Sequence, residues 1–362
     1  MYAVDAHIVK HLPAVRDSPA FQLDTHLQAP SGITVIIGPS GSGKTLFLNC
    51  VAGFVRPDRG RILIASDILF DAATKVHLRP ERRRCGYIFQ DHALFPHMTV
   101  RENLRFATSL HGSRRLNRHR RINELLEAFD LAALSDRKPA QLSGGQKQRA
   151  ALARVLITEP RVLLLDEPSR GLDEALRRTF WELLASFRSR VNIPMLLVSH
   201  DMTESCELAD SIAMFENGKL LQMGSRQDVF AKPATAQAAH LLGLHNILSA
   251  AILALDPAAK TSRLRVLDQE IDGPYLPGHL IGDSGFLCLR RSEMKVVPSN
   301  RHTGKDRLLL RLVEKRLSPA GVRLIFENGV FVTTSEADAS LYAPDDLLAL
   351  SMPTHCMAFL NK

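Results

Sequence analysis

A short, mostly apolar run, Ile33–Ile37, leads straight into GPSGSGKT (residues 38–45), and the segment that follows, through residue 52, has helical character. No other feature limits the fold so sharply. Glycines let consecutive backbone N–H groups curl around an anion, and the first turn of a helix adds a favourable dipole, so strand, loop and helix in this order make a phosphate cradle. Gly38, Pro39, Ser40, Gly41, Ser42 and Gly43 form the predicted cradle. Lys44 is expected to reach the terminal phosphates of a nucleoside triphosphate, and the Thr45 hydroxyl to ligate magnesium.

Such a loop works with groups at the carboxyl ends of neighbouring strands, where ligands bind in parallel sheets. Four apolar residues (162–165) lead into Asp166 and Glu167. Asp166 is suited to hold magnesium through water, and Glu167 to polarise an attacking water as general base. An Asp-Glu pair alone ordinarily starts a turn or helix; its company with the phosphate loop gives it this reading. Gln90 follows Tyr87, Ile88 and Phe89 and falls at another strand end, where its amide could contact magnesium or the water. His200, just past Met195–Val198, is placed to hydrogen-bond a γ-phosphate. Residues 99–137 read mostly helical, with Leu104, Leu125, Leu126 and Phe129 on apolar faces. Parallel strands with crossover helices and a helical insertion follow, an α/β fold.

A second anion cradle is written in LSGGQKQR (residues 142–149), ahead of a helix through residues 150–157. Ser143, Gly144 and Gly145 place a hydroxyl and bare N–H groups at a helix start. Ser143 and Gln146 also read as a capping box, and both readings hold together. Two cradles in one chain make sense if two copies face each other head to tail, each capping the triphosphate on its partner's loop.

The rest of the chain bounds the function. Its 362 residues suit two domains, and 45% hydrophobic with 23% charged residues is globular. Residues 233–255 lack Asp, Glu, Lys and Arg but carry Gln237, His240, His245 and Asn246, so they read as linker, helix and strand rather than a membrane span. No basic start with an apolar core marks a secretory signal, which points to the cytosol. The five cysteines are scattered and lack metal-binding spacing, so reduced, packed thiols are expected. The net charge is +8, with clusters at Arg82, Arg83 and Arg84 and at Arg114, Arg115, Arg118, Arg120 and Arg121. No aromatics interleave with the second cluster as base stacking requires, so it reads as a solvated helix face and no nucleic-acid partner is expected. Beyond residue 246 short alternating strands take over, and Asn328-Gly329 between Phe326 and Phe331 signals a hairpin. His11 and Phe21 are the candidates for an adenine platform.

Phosphate loop, Gln90, LSGGQKQR, VLLLDE and His200 stand in the order and spacing of ABC transporter ATPases, which residues 30–230 closely resemble. The resemblance implies a P-loop NTPase fold, a RecA-like core plus helical subdomain (about 91–158) in an ATPase domain over 1–232. It also implies ATP and Mg²⁺ as cofactors and an ATP-sandwich homodimer. In that dimer Ser143, Gly144 and Gly145 act across the interface, Asp173 lies in the loop joining the two sites, and Gln90 senses the membrane partner. In that loop this chain reads PSRGLD where relatives more often end Ser-Ala-Leu-Asp or Asn-Leu-Asp. Chromosome-repair relatives carry a long coiled coil between the motifs and translation-type relatives carry two ATPase halves, features this chain lacks.

The stretch RPERRRCGYIFQDHALFPHMTVRENLRF looks like importer ATPases and resembles the molybdate subfamily. That implies a linker (233–245) and a C-terminal small β-barrel of OB-like, Mop/TOBE type (246–362), whose candidate oxyanion ligands are Arg290, Arg291, Lys305 or Ser284. It further implies a transmembrane permease dimer, a periplasmic or extracellular oxyanion-binding protein, and a peripheral place on the cytoplasmic face of the cell membrane. Sulfate, ferric iron, polyamine and sugar importers are the rival readings.

Overall fold

The computed structural model describes residues 2–14, 19–89, 93–109, 115–190, 193–297 and 307–361, so the expectations for Gln90, Arg114 and Lys305 lie outside the described residues. The chain forms two compact units, Met1–Arg226 and Gln227–Lys362.

The first unit is organised by a six-stranded sheet in the order Lys219–Ser225, Ser211–Glu216, Ile33–Ile37, Met195–Val198, Val162–Asp166, Cys85–Ile88. All neighbours are parallel except Lys219–Ser225, an antiparallel edge. Every residue of Ile33–Ile37 is buried, as a strand covered on both faces demands. The four strands that lead into the predicted motifs are adjacent and point the same way. Their carboxyl ends therefore form one rim, and the expected chemistry gathers there.

A second sheet, unanticipated above, is antiparallel: Phe21–Ala29, Val4–Leu12, Arg59–Ile64, Asp67–Asp71 and Val76–His77. Val4, Ala6 and Ile8 are buried, as are Leu23, Thr25 and Leu27 on the next strand, with polar residues between them facing outward. That two-residue alternation is the sequence signal, obscured because neither strand forms a continuous apolar run.

The helical insertion contains Val100–Ser109, Arg115–Ala128 and Gly144–Leu156. Leu104, Leu126 and Phe129 are buried there and Leu125 is half-buried. Of the first arginine cluster, Arg83 is not a surface charge at all: it is 1% exposed. Its guanidinium donates to Cys50 O and Val51 O at 2.8 Å and to Leu78 O at 2.9 Å, closing the carboxyl end of helix Lys44–Ala52. Gly53 turns that helix end with φ 90° and leaves room for the guanidinium, since a Cβ there would lie 2.6 Å from Arg83 Nε.

The second unit packs two five-stranded antiparallel sheets on one core. One contains His245–Asp256, Thr261–Val266, Gln269–Pro274, Ser284–Arg290 and Met357–Asn361, and the other runs Lys295–Val297, Leu347–Ser351, Arg307–Ser318, Gly321–Phe326, Phe331–Thr334. This is the β-rich C-terminal domain that the sequence leads one to expect. The hairpin at Asn328 (φ 62°) and Gly329 (φ 74°) is present, both residues being left-handed. Residues 233–255 hold helix Ala236–Leu242 and most of strand His245–Asp256, and Ala239 packs with Cys288 and Leu360. Among the described residues no helix is long and apolar enough to cross a membrane. All five cysteines are free, and burial pushes the Cys50 and Cys85 thiols up to about 12.

Candidate nucleotide site

Helix Lys44–Ala52 begins at Gly43, whose φ of 98° excludes most other residues, and a Cβ at Gly43 would press on Phe21 Cζ at 3.1 Å. Phe21 thus lies against the phosphate loop. His11 instead is exposed, its backbone N–H donating to Asp58 at 2.7 Å. Gly38 is equally constrained: a Cβ there would meet Phe215 O at 2.1 Å. Lys44 is buried to 8% exposure and donates to Gly38 O and Pro39 O at 2.9 Å, holding its charge over the loop. Burial lowers its pKa, while the charges of Glu167 and Asp166 pull the other way.

The structure brings Thr45 and Asp166 together, 121 residues apart in sequence, with Thr45 Oγ1 donating to Asp166 Oδ1 at 3.0 Å. Tyr87 donates to the other oxygen, Oδ2, at 3.2 Å. Burial raises the Asp166 pKa, and these two hydrogen bonds oppose the rise. Glu167 follows in a left-handed turn (φ 48°), a conformation that costs a non-glycine residue about 1 kcal/mol or more. Its carboxylate lies between His200, 3.7 Å from Oε1, and Arg170, 2.9 Å from Oε2. The predicted pair Glu167 and His200 is therefore together, and Arg170 of the PSRGLD segment joins it.

Ser143 caps helix Gly144–Leu156: its hydroxyl accepts from Gln146 N at 3.3 Å, and Gln146 Oε1 accepts from Ser143 N at 3.0 Å. Further along that helix, buried Gln148 donates to Pro168 O, next to Glu167, while its buried Oε1 has no protein partner; the residue borders a cavity of about 250 Å³ beside Ser143 and Arg149. Asp173 opens helix Glu174–Arg190 by accepting from Leu176 N at 2.9 Å. Among the described residues no hydrogen bond or ion pair joins Ser143, Gly144 or Gly145 to this chain's own phosphate loop.

Three supports escaped the sequence reading. Arg177 on helix Glu174–Arg190 pairs with Asp201 at 2.9 Å, and Trp181 donates to buried Glu204 at 2.8 Å, which also accepts from Ser199. Together they fasten the loop bearing His200 to the helix that Asp173 starts. Tyr87 was visible only as an apolar strand residue.

A protein-family model described as ABC transporter matches residues 24–170. The molybdenum import ATP-binding protein ModC of Paramagnetospirillum magneticum is 37% identical over 276 residues, 76% of this chain and 71% of that protein. The chain belongs to the ABC transporter family. A probable sulfate/thiosulfate import ATP-binding protein CysA of Chlorella vulgaris is 41% identical over 220 residues, 60% of this chain and 91% of that one. Among solved structures, a dimeric ATP-binding cassette in a post-hydrolysis state with ADP and Pi is similar with a TM-score of 0.53 and 26% identity, covering 62% of this chain and 98% of that one. This ABC protein is the ATP-binding subunit of an importer, and its family implies ATP hydrolysis, dimerisation and a permease partner. In the importer's second unit, among the described candidates for an oxyanion ligand, Ser284 does not join Arg290 and Arg291. Ser284 and Arg290 stand at opposite ends of a single strand, roughly 20 Å apart at strand rise. Arg291 lies over the Phe331 ring at 3.8 Å and donates to Asn246.

Proposed function

We propose that this importer ATPase drives molybdate uptake, hydrolysing ATP at composite sites shared by two copies of the chain. The chemistry rests on one observation: Thr45, Asp166, Glu167 and His200 meet at the rim beside the phosphate loop. Residues 38–43 cradle phosphate oxygens through backbone N–H groups, and Lys44 releases the loop carbonyls to reach the β- and γ-phosphates. Thr45 Oγ1 and Asp166 Oδ1 are hard oxygen donors 3.0 Å apart, a set that fits magnesium with phosphate and water completing its shell. Among the described residues no group of three His, Cys, Asp or Glu offers a rival metal site. Magnesium would neutralise charge on the phosphate oxygens. Glu167 takes the proton of the attacking water, and His200 holds both that carboxylate and the γ-phosphate. Gln90 contacts the same cation or water and senses the permease.

Ser143, Gly144 and Gly145 cap the nucleotide of the second copy, a reading supported by their lack of a bond to their own loop. Asp173 links the two sites. Closure of the pair pulls on the permease, and hydrolysis resets it. In this reading residues 1–232 are the ATPase domain, 233–245 the linker and 246–362 the Mop/TOBE-like domain. The assembly sits on the cytoplasmic face of the cell membrane and receives molybdate from an external oxyanion-binding protein.

Glu167→Gln should keep ATP binding and lose turnover by about 100-fold or more. Full turnover in that variant would remove Glu167 as the base. The cargo rests on likeness to molybdenum importers. Sulfate is the second reading, favoured by the 41% identical sulfate relative. Uptake of labelled molybdate by cells lacking this chain, with tungstate and sulfate as competitors, decides between them.

A further inference from the structure

We propose that Tyr87 is a positioning residue of the nucleotide site, its phenol holding the Asp166 carboxylate in the orientation that meets the nucleotide-bound cation. This rests on Asp166 being the carboxylate that serves that cation.

The placement begins with strand register. Tyr87 pairs in parallel with Leu164, two residues before Asp166, and side chains alternate along strands, so Tyr87, Leu164 and Asp166 share one face of the sheet. Helix Lys44–Ala52 carries Thr45 and Asn49, one turn apart and so on one side of the helix. The result is a carboxylate with one donor on each oxygen, from two different elements: Thr45 at 3.0 Å on Oδ1 and Tyr87 at 3.2 Å on Oδ2. Each oxygen keeps a lone pair free.

Tyr87 also stands 3.1 Å from the Asn49 side-chain amide. A phenol has one proton and cannot serve two acceptors. Turning the Asn49 amide so that its NH₂ faces Tyr87 resolves the conflict. Asn49 then donates to Tyr87 and Tyr87 donates to Asp166, so the one phenol proton serves one acceptor. The ring itself is held: it is 8% exposed, with Phe89 at 4.4 Å and Phe54 at 5.3 Å between centroids. The hydroxyl therefore has little freedom to turn away from Asp166, and the carboxylate is oriented before nucleotide arrives.

Tyr87→Phe keeps the ring contacts and deletes only the hydroxyl. The full-length variant is titrated with Mg²⁺ while binding of a non-hydrolysable ATP analogue is measured, alongside analogue binding without Mg²⁺ and a thermal melt. The Mg²⁺ needed for half-maximal tight binding should rise by about tenfold, the scale of one hydrogen bond to a charged group, with Mg²⁺-free binding unchanged and the melt lowered by no more than the few degrees that one lost hydrogen bond costs. A Mg²⁺ titration that superimposes on the wild type overturns the proposal. So does an equal loss of binding with and without Mg²⁺, which marks Tyr87 as packing alone. Wild-type protein whose analogue binding ignores Mg²⁺ would instead sink the reading of Asp166, a separate failure.

Discussion

Replacing Arg83 by Met should destabilise the first unit by about 3 kcal/mol. Arg83 is 1% exposed and makes three hydrogen bonds to backbone carbonyls at 2.8–2.9 Å, two of them on the last turn of helix Lys44–Ala52. Methionine keeps most of the apolar stem but donates nothing. Stranding a buried carbonyl costs about 1–3 kcal/mol, and a cation at a helix carboxyl end adds about 0.3–1 kcal/mol. Cys50 O retains a second donor, Gly53 N at 3.2 Å, so its share is small. Methionine also escapes the cost of burying a charge, which recovers part of the loss. About 3 kcal/mol is what remains. Trp181, the one tryptophan in the sequence, is 3% exposed in the first unit, so urea unfolding followed by its fluorescence reports on that unit alone. A loss below about 1 kcal/mol would refute the account of Arg83 as the cap of the phosphate-loop helix. Arg83→Lys should recover less than half the loss, because one ammonium cannot span carbonyls on two segments.

His245 is 3% exposed with Nδ1 unpartnered, and burial first, then the charges of Arg290 and Arg291, lowers its pKa to about 4. The unfolded chain takes up a proton near pH 6.5 that the folded state refuses, so stability is full above that pH and falls as pH drops toward 4. By pH 5 the second unit should lose about 2 kcal/mol, seen as faster hydrogen exchange and abolished by His245→Asn. Arg170 ties up Glu167 Oε2 in the resting state through an exposed ion pair worth up to about 1 kcal/mol, so Arg170→Gln should raise basal ATP turnover by at most about fivefold. A fall in steady-state turnover would show that Arg170 assists the reaction rather than restraining it.

The motifs were legible because each is a local device. Backbone N–H groups that wrap a phosphate must be consecutive, so residues 38–45 declare themselves, and the Ser143–Gln146 cap closes within one helical turn. Carboxylates at a strand's carboxyl end are set by the same few residues that make the strand, and Asn328-Gly329 carries its own turn.

Tertiary structure decided what depends on which strands become neighbours and in what register. It placed Tyr87 against both Asn49 and Asp166 and made Arg83 a buried cap on carbonyls 32 and 33 residues away. Sequence periodicity says which face a side chain takes but not what it meets there, because partners such as Tyr87 and Asp166, 79 residues apart, are matched only once the sheet has assembled.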